Sequence, residues 1–139
     1  MIGQIAQDYF SFSGRLPRGA YWRRSLVGGV IGAALAGVAA LAQPLGLGIF
    51  LPLATLAFVG SLGVAASLIV RRFHDLGRRG WAGLAVAALA GVASYAGQYG
   101  LAPWAASIFA AVVSLALFVY LGFVRGTTGD NAYGADPLG

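Results

Sequence analysis

Four stretches of this chain, roughly Ser25–Ala42, Gly48–Val70, Trp81–Gly97 and Pro103–Val124, contain no Asp, Glu, Lys, Arg or His. Each is close to the ~20 apolar residues that an α-helix needs to cross the ~30 Å hydrocarbon core of a bilayer. In lipid the backbone must satisfy its own hydrogen bonds, which constrains such runs to be helices. The expected fold is therefore all-α: an integral membrane four-helix bundle forming a single domain over residues 1–139, with a short N-terminal interfacial segment, 1–24, and a cytoplasmic tail, 125–139. Composition supports this, since 59% of residues are apolar and 9% are charged, whereas a soluble domain carries about 25% charged residues.

The breaks between runs carry their own signals. Gln43-Pro44 ends the first, because proline disfavours helical geometry in the residue before it. Pro52 and Pro103 stand near the starts of the second and fourth, where a missing N–H does little harm. Gly77 and Gly80 bracket the middle turn, and Gly126 and Gly129 follow the last run. The first apolar run starts after 24 mixed residues, which argues against a cleavable secretory signal.

All nine basic residues are arginines, and their placement sets an orientation. Arg15, Arg18, Arg23 and Arg24 precede the first run, Arg71, Arg72, Arg78 and Arg79 separate the second from the third, and Arg125 follows the fourth. The other two connections, "QPLGL" and "QYGLA", hold no charge. The positive-inside rule then puts both termini in the cytoplasm of a bacterial inner membrane, which requires an even number of crossings. Trp22 and Trp81 fall at the inner boundary, and Tyr99 and Trp104 at the outer one. A net charge of +5 beside long apolar runs points to the lipid bilayer and its anionic headgroups as partner rather than nucleic acid.

Small residues recur at four-residue spacing, as in Gly28 and Gly32, Ala33 and Gly37, Ala87 and Gly91, and Ala106 and Ala110. Such spacing lets helices approach closely in lipid, within the chain or in a homo-oligomer; abundance of Gly and Ala alone also produces it.

Chemistry is confined to the polar segments. In "MIGQIAQDYFSFSG", Ile2, Ile5, Tyr9 and Phe12 share the face of a helix lying on the inner membrane surface. In "RLPRGAYWRR", Arg15, Arg18 and Trp22 share a face if the helix begins near Pro17, which suits phosphate contact, pairing with the tail, or topology alone. In "RRFHDLGRRGW", a second helix running on to a cap at Gly77 puts Arg71 and Arg72 four and three residues before Asp75. A carboxylate in the last turn of a helix is disfavoured by about 0.3–1 kcal/mol and needs cationic partners. Asp75 thus reads as a buttress for the arginines, and His74 as a histidine hydrogen-bonded in the turn.

A metal site at His74 would have to recruit Asp130 or Asp136 from the tail, because the chain has no other histidine, no cysteine and no glutamate. No metal or cofactor is expected. The tail "GTTGDNAYGADPLG" is turn chemistry, with Asn131 and Tyr133 as structural anchors. It either folds back onto the basic turns or is a solvated terminus.

"FSFSGRLPRGAYW", "RRFHDLGRRGW" and "GDNAYGADP", in this order and separated by apolar spans, resemble the bacterial inner-membrane family catalogued as domain of unknown function 805. The resemblance covers nearly the whole chain. Leu16-Pro17, Phe73 and Ala132 depart from the family's commoner residues. The resemblance implies a small polytopic membrane protein and supplies no activity.

The functional expectation is a non-enzymatic protein whose arginine-rich cytoplasmic face engages anionic lipid headgroups or a partner protein through Arg15, Arg18, Arg71, Arg72, Arg78 and Arg79. A small oligomeric channel or transporter is the alternative, disfavoured by the lack of ionisable groups within the apolar runs. An enzyme acting on a phosphorylated membrane substrate through His74 and Asp75 is the third reading.

Overall fold

A computed structural model describes residues 2–100 and 103–138 of the chain. Leu101 and Ala102 of the "QYGLA" connection, the final Gly139 and the side chain of Ile2 lie outside the described residues. The chain is all-helical: α1 (Ile2–Phe10), α2 (Arg18–Leu41), α3 (Leu47–Asp75), α4 (Gly80–Gln98) and α5 (Pro103–Phe123), with a short 3-10 turn at Gln43–Leu45. Helices α2 to α5 are long and apolar enough to cross a membrane. Their outer surfaces are apolar: Leu26, Phe58, Val92 and Leu115 are exposed, as lipid-facing side chains are.

Helix α2 begins immediately after Pro17, whose carbonyl accepts the Tyr21 amide at 2.9 Å. Arg15 therefore lies in the preceding coil and does not share a helical face with Arg18 and Trp22. Helix α1 stops at Phe10, so Phe12 also falls outside its expected helical face. Helix α3 starts five residues before Pro52, which places that ring in the second turn rather than the first.

At 29 residues, α3 is about 43 Å long, more than the hydrocarbon thickness requires. Its last turn, Arg71 to Asp75, is a polar extension of an apolar rod. The helix ends where the sequence places its cap: Gly77 has φ of +70° and donates its amide to the His74 carbonyl at 3.0 Å. That left-handed conformation disfavours any residue with a Cβ.

The chain packs into two compact units, one of residues up to 12 with 22–68, the other of residues 13–21 with 69 onward. In the first unit, α2 and the early part of α3 meet through small residues: a Cβ on Gly28 would stand 3.0 Å from Val64 Cγ1, and one on Gly32 would stand 2.7 Å from Ser61 Oγ. Of the four-residue spacings, this pair is therefore a genuine contact stripe, while a Cβ on Gly37 or Gly91 would meet nothing within 4 Å. Helix α1 is tied to this unit by an Asp8–Arg24 ion pair and by the Ser67 hydroxyl, which donates to the Ser11 carbonyl.

In the second unit, α4 and α5 pack against each other across a short connection. Gly83 lies so close to Phe73 and Ile69 of α3 that no larger residue fits, and Phe73 itself packs on Tyr120 of α5 with ring centroids 5.6 Å apart. The end of α3, the start of α4 and the end of α5 are thereby brought to one place.

A buried carboxylate node and its candidate functional face

Asp75 closes α3 and is 2% exposed, so its charge has been taken almost wholly out of solvent. An isolated buried carboxylate is untenable without partners and hydrogen bonds. Arg72, three residues earlier on the same helix, donates Nη1 to Asp75 Oδ2. Arg15 donates Nε to Asp75 Oδ1 at 3.3 Å from 60 residues away. Two guanidiniums on one carboxylate also offset the negative end of the α3 macrodipole.

Both arginines donate to main-chain carbonyls as well. Arg72, with 0% exposure, donates Nε to Leu121 O in the last turn of α5 at 2.7 Å and Nη2 to Val124 O just after it. Arg18 adds a bond from Nη1 to Phe123 O at 3.2 Å. Arg15, at 7% exposure, reaches the tail through Nη1 to Gly129 O at 2.6 Å and Nη2 to Thr127 O and Oγ1. The planar guanidinium suits this work because it presents several fixed donors at once.

The tail folds onto the same node. Thr127 donates its amide and its hydroxyl to the Asp75 carbonyl at 2.9 and 3.1 Å. Asn131 Nδ2 donates to His74 O at 3.0 Å and to Thr127 Oγ1 at 2.9 Å, while Asn131 Oδ1 accepts the Tyr133 amide at 2.8 Å. The Leu16 amide meets the Arg71 carbonyl at 3.2 Å. The final carbonyls of α3, unpaired in an isolated helix, thus receive donors from the 13–17 coil and from the tail.

His74 bridges the three motifs. Its ring stacks on Tyr133 with centroids 4.0 Å apart and planes within 5°. Its Nδ1 lies 3.2 Å from Gly14 O, an atom that only accepts, so Nδ1 carries the hydrogen. The tail acids are employed within the tail: Asp136 accepts from the amides of Gly129 at 2.7 Å and Leu138 at 3.0 Å. Asp130 Oδ1 accepts the Asp136 amide at 3.0 Å. The Leu138 amide first, then that of Gly129, hold the Asp136 carboxyl below its usual value by stabilising the ionised form.

Arg15, Arg72, Asp75, His74, Asn131 and Tyr133 therefore form one connected cluster. Arg18 stands beside it, and the half-buried Arg71 contributes its carbonyl. Arg78, Arg79 and Trp81 are exposed at the turn into α4. Trp22 belongs to the first unit. Sequence reasoning gave Thr127 no role and read Gly126 only as a stop after the last run; a Cβ on Gly126 would overlap the Asp75 carboxylate. For Thr127, the "GTT" that follows Arg125 is the sequence signal. Among the described residues, no group of three His, Cys, Asp or Glu side chains is placed to hold a metal ion.

The family described as "Protein of unknown function (DUF805)" matches residues 9–135, a span that includes all three motifs meeting at Asp75. The chain belongs to the DUF805 family. It is 37% identical to the uncharacterized protein YiiR of Escherichia coli K12, over 95% of this chain and 89% of that one. It is 26% identical to the inner membrane protein YhaI of the same strain, over 96% of this chain and 91% of the other. No solved structure matches it significantly. This DUF805 chain is a membrane protein with four helices of spanning length. At Leu16 the polar contacts use the backbone: the Leu16 amide and carbonyl meet Arg71 O and Arg72 Nη1.

Proposed function

We propose that this chain is a non-enzymatic protein of the bacterial inner membrane, with both termini in the cytoplasm, whose arginine face engages anionic lipid headgroups. The observation that carries the reading is the division of labour among the arginines around Asp75. Arg15 and Arg72 are buried donors to protein acceptors, and they organise the face. Arg18, Arg78, Arg79 and Arg125 are exposed around the same helix ends. Exposed arginines next to apolar helix ends meet the headgroup layer, where each is worth about 1 kcal/mol towards an anionic leaflet.

His74 and Asp75 fit structural roles better than catalytic ones, because each is already engaged by fixed partners. The orientation rests on the positive-inside pattern, and the choice of membrane on the similarity to the inner membrane protein YhaI. The test is thermal stability of the purified protein in nanodiscs of phosphatidylcholine with and without phosphatidylglycerol. Stabilisation by phosphatidylglycerol is expected, and it should fall in an Arg78→Gln/Arg79→Gln variant. Equal stability in both lipid mixtures refutes the reading, and selective retention of a soluble protein instead would favour a partner protein.

A further inference from the structure

The second unit contains a small cavity of about 120 Å³ beside the node, lined by Arg18, Asp75, Arg125, Thr127, Thr128 and Asp136, among others. Its acidic groups are already engaged. Asp75 is held by Arg15 and Arg72, and Asp136 by the Gly129 and Leu138 amides. Thr127 directs its hydroxyl hydrogen to the Asp75 carbonyl. What the cavity wall offers a guest is therefore donors. Arg18 uses Nη1 on Phe123 O and retains further N–H groups on the guanidinium. Among the described residues, Arg125 and the Thr128 hydroxyl make no hydrogen bond.

Charge agrees with this asymmetry. The lining itself is formally neutral, Arg18 and Arg125 against Asp75 and Asp136, and the two positive charges in excess come from Arg15 and Arg72 just beyond it, both bonded to Asp75. Two guanidiniums and a hydroxyl around a space of this size match the several acceptor oxygens and the negative charge of one phosphate group. A cation is disfavoured by the same count. A carboxylate has fewer acceptor oxygens for the two guanidinium forks.

We infer that this cavity is a binding site for a single phosphate group, held by Arg18, Arg125 and Thr128, either on a lipid headgroup or free in the cytoplasm. The inference deepens the headgroup reading above and rests on it for the depth at which the cavity lies. Asp75 acts in it as a positioning residue: with Arg72 it fixes the end of α5, after which Arg125 follows, and its own carboxylate does not face the guest unpaired.

The experiment measures thermal stabilisation of the full chain in a neutral-headgroup detergent. Its arms are inorganic phosphate, chloride at matched ionic strength, and short-chain phosphatidylglycerol against short-chain phosphatidylcholine. Saturable stabilisation by phosphate or by phosphatidylglycerol, weakened at least about tenfold in both Arg125→Gln and Thr128→Val but kept in Arg78→Gln/Arg79→Gln, is the expected result. Response to phosphatidylglycerol alone assigns the site to a lipid, and response to inorganic phosphate alone assigns it to a soluble phosphate. If phosphatidylglycerol stabilises every variant except Arg78→Gln/Arg79→Gln, the cavity is overturned and the general headgroup reading stands. If no anion stabilises any form, both are overturned. Arg125 and Thr128 are exposed, so neither substitution removes packing from the core.

Discussion

Asn131 donates its side-chain amide to the carbonyl oxygen of His74 at 3.0 Å, although 57 residues separate the two. The bond ties the C-terminal tail to the open end of α3, and Tyr133 of the same tail stacks on the His74 ring. The segments "RRFHDLGRRGW" and "GDNAYGADP" are in this sense one structural device: a helix end and its remote cap.

Replacing Asn131 with Ala removes the donors to His74 O and Thr127 Oγ1 and the acceptor for the Tyr133 amide. Each lost bond costs about 1 kcal/mol. The expected readout is faster proteolytic cleavage of the tail, with the helical content of the four spans unchanged. A tail as resistant as the wild type's would show that Asn131 does not hold it.

Asp75→Asn leaves two buried guanidiniums without their shared charge, a change that costs about 3–5 kcal/mol when a buried pair is broken. Denaturant unfolding in detergent measures it. Combining Asp75→Asn with Arg72→Met should cost less than the sum of the two single changes, because the second removes a charge that the first stranded. Additive losses would mean that the two side chains do not act together.

Gly126→Ala drives a methyl into the Asp75 carboxylate, and overpacking of this kind costs about 1–3 kcal/mol. Gly77→Ala meets a different obstacle, a left-handed φ of +70° with Thr127 Cγ2 at 3.1 Å from the new methyl. Its expected cost is about 1–2 kcal/mol. Thermal unfolding of the two variants, with Gly37→Ala as a control at an open position, separates crowding from any general effect of losing glycine.

Asp136 gives the tail a pH dependence of known sign. The amides of Leu138 and Gly129 hold its folded pKa below the unfolded value of about 3.9. The stabilisation is therefore fully present above that value and is lost as the pH falls through the folded pKa. Amide exchange at Gly129 and Leu138 should accelerate relative to the rest of the tail only below the ordinary carboxylate range. Asp136→Asn should abolish that acid-dependent step, and its persistence in the variant would assign it to another group.

The sequence by itself determined the four helices and the ends of most of them. Long uncharged runs admit few other backbone solutions in lipid, and Gly77 marks a helix stop through a conformation that other residues resist. It also showed that Asp75 needed cationic partners, because the electrostatics of a helix end are local. It did not show that Arg15 is one of them, since no spacing rule links residues 60 positions apart. Nor did it show how the tail attaches. The tail's acids, Asp130 and Asp136, bind amides of the tail itself, and the link to the rest of the node runs through Thr127, Asn131 and a set of backbone carbonyls. Carbonyls belong to every residue and leave no mark in a sequence, so only the tertiary structure could decide which of them the buried arginines reach, and which arginines remain exposed to meet something else.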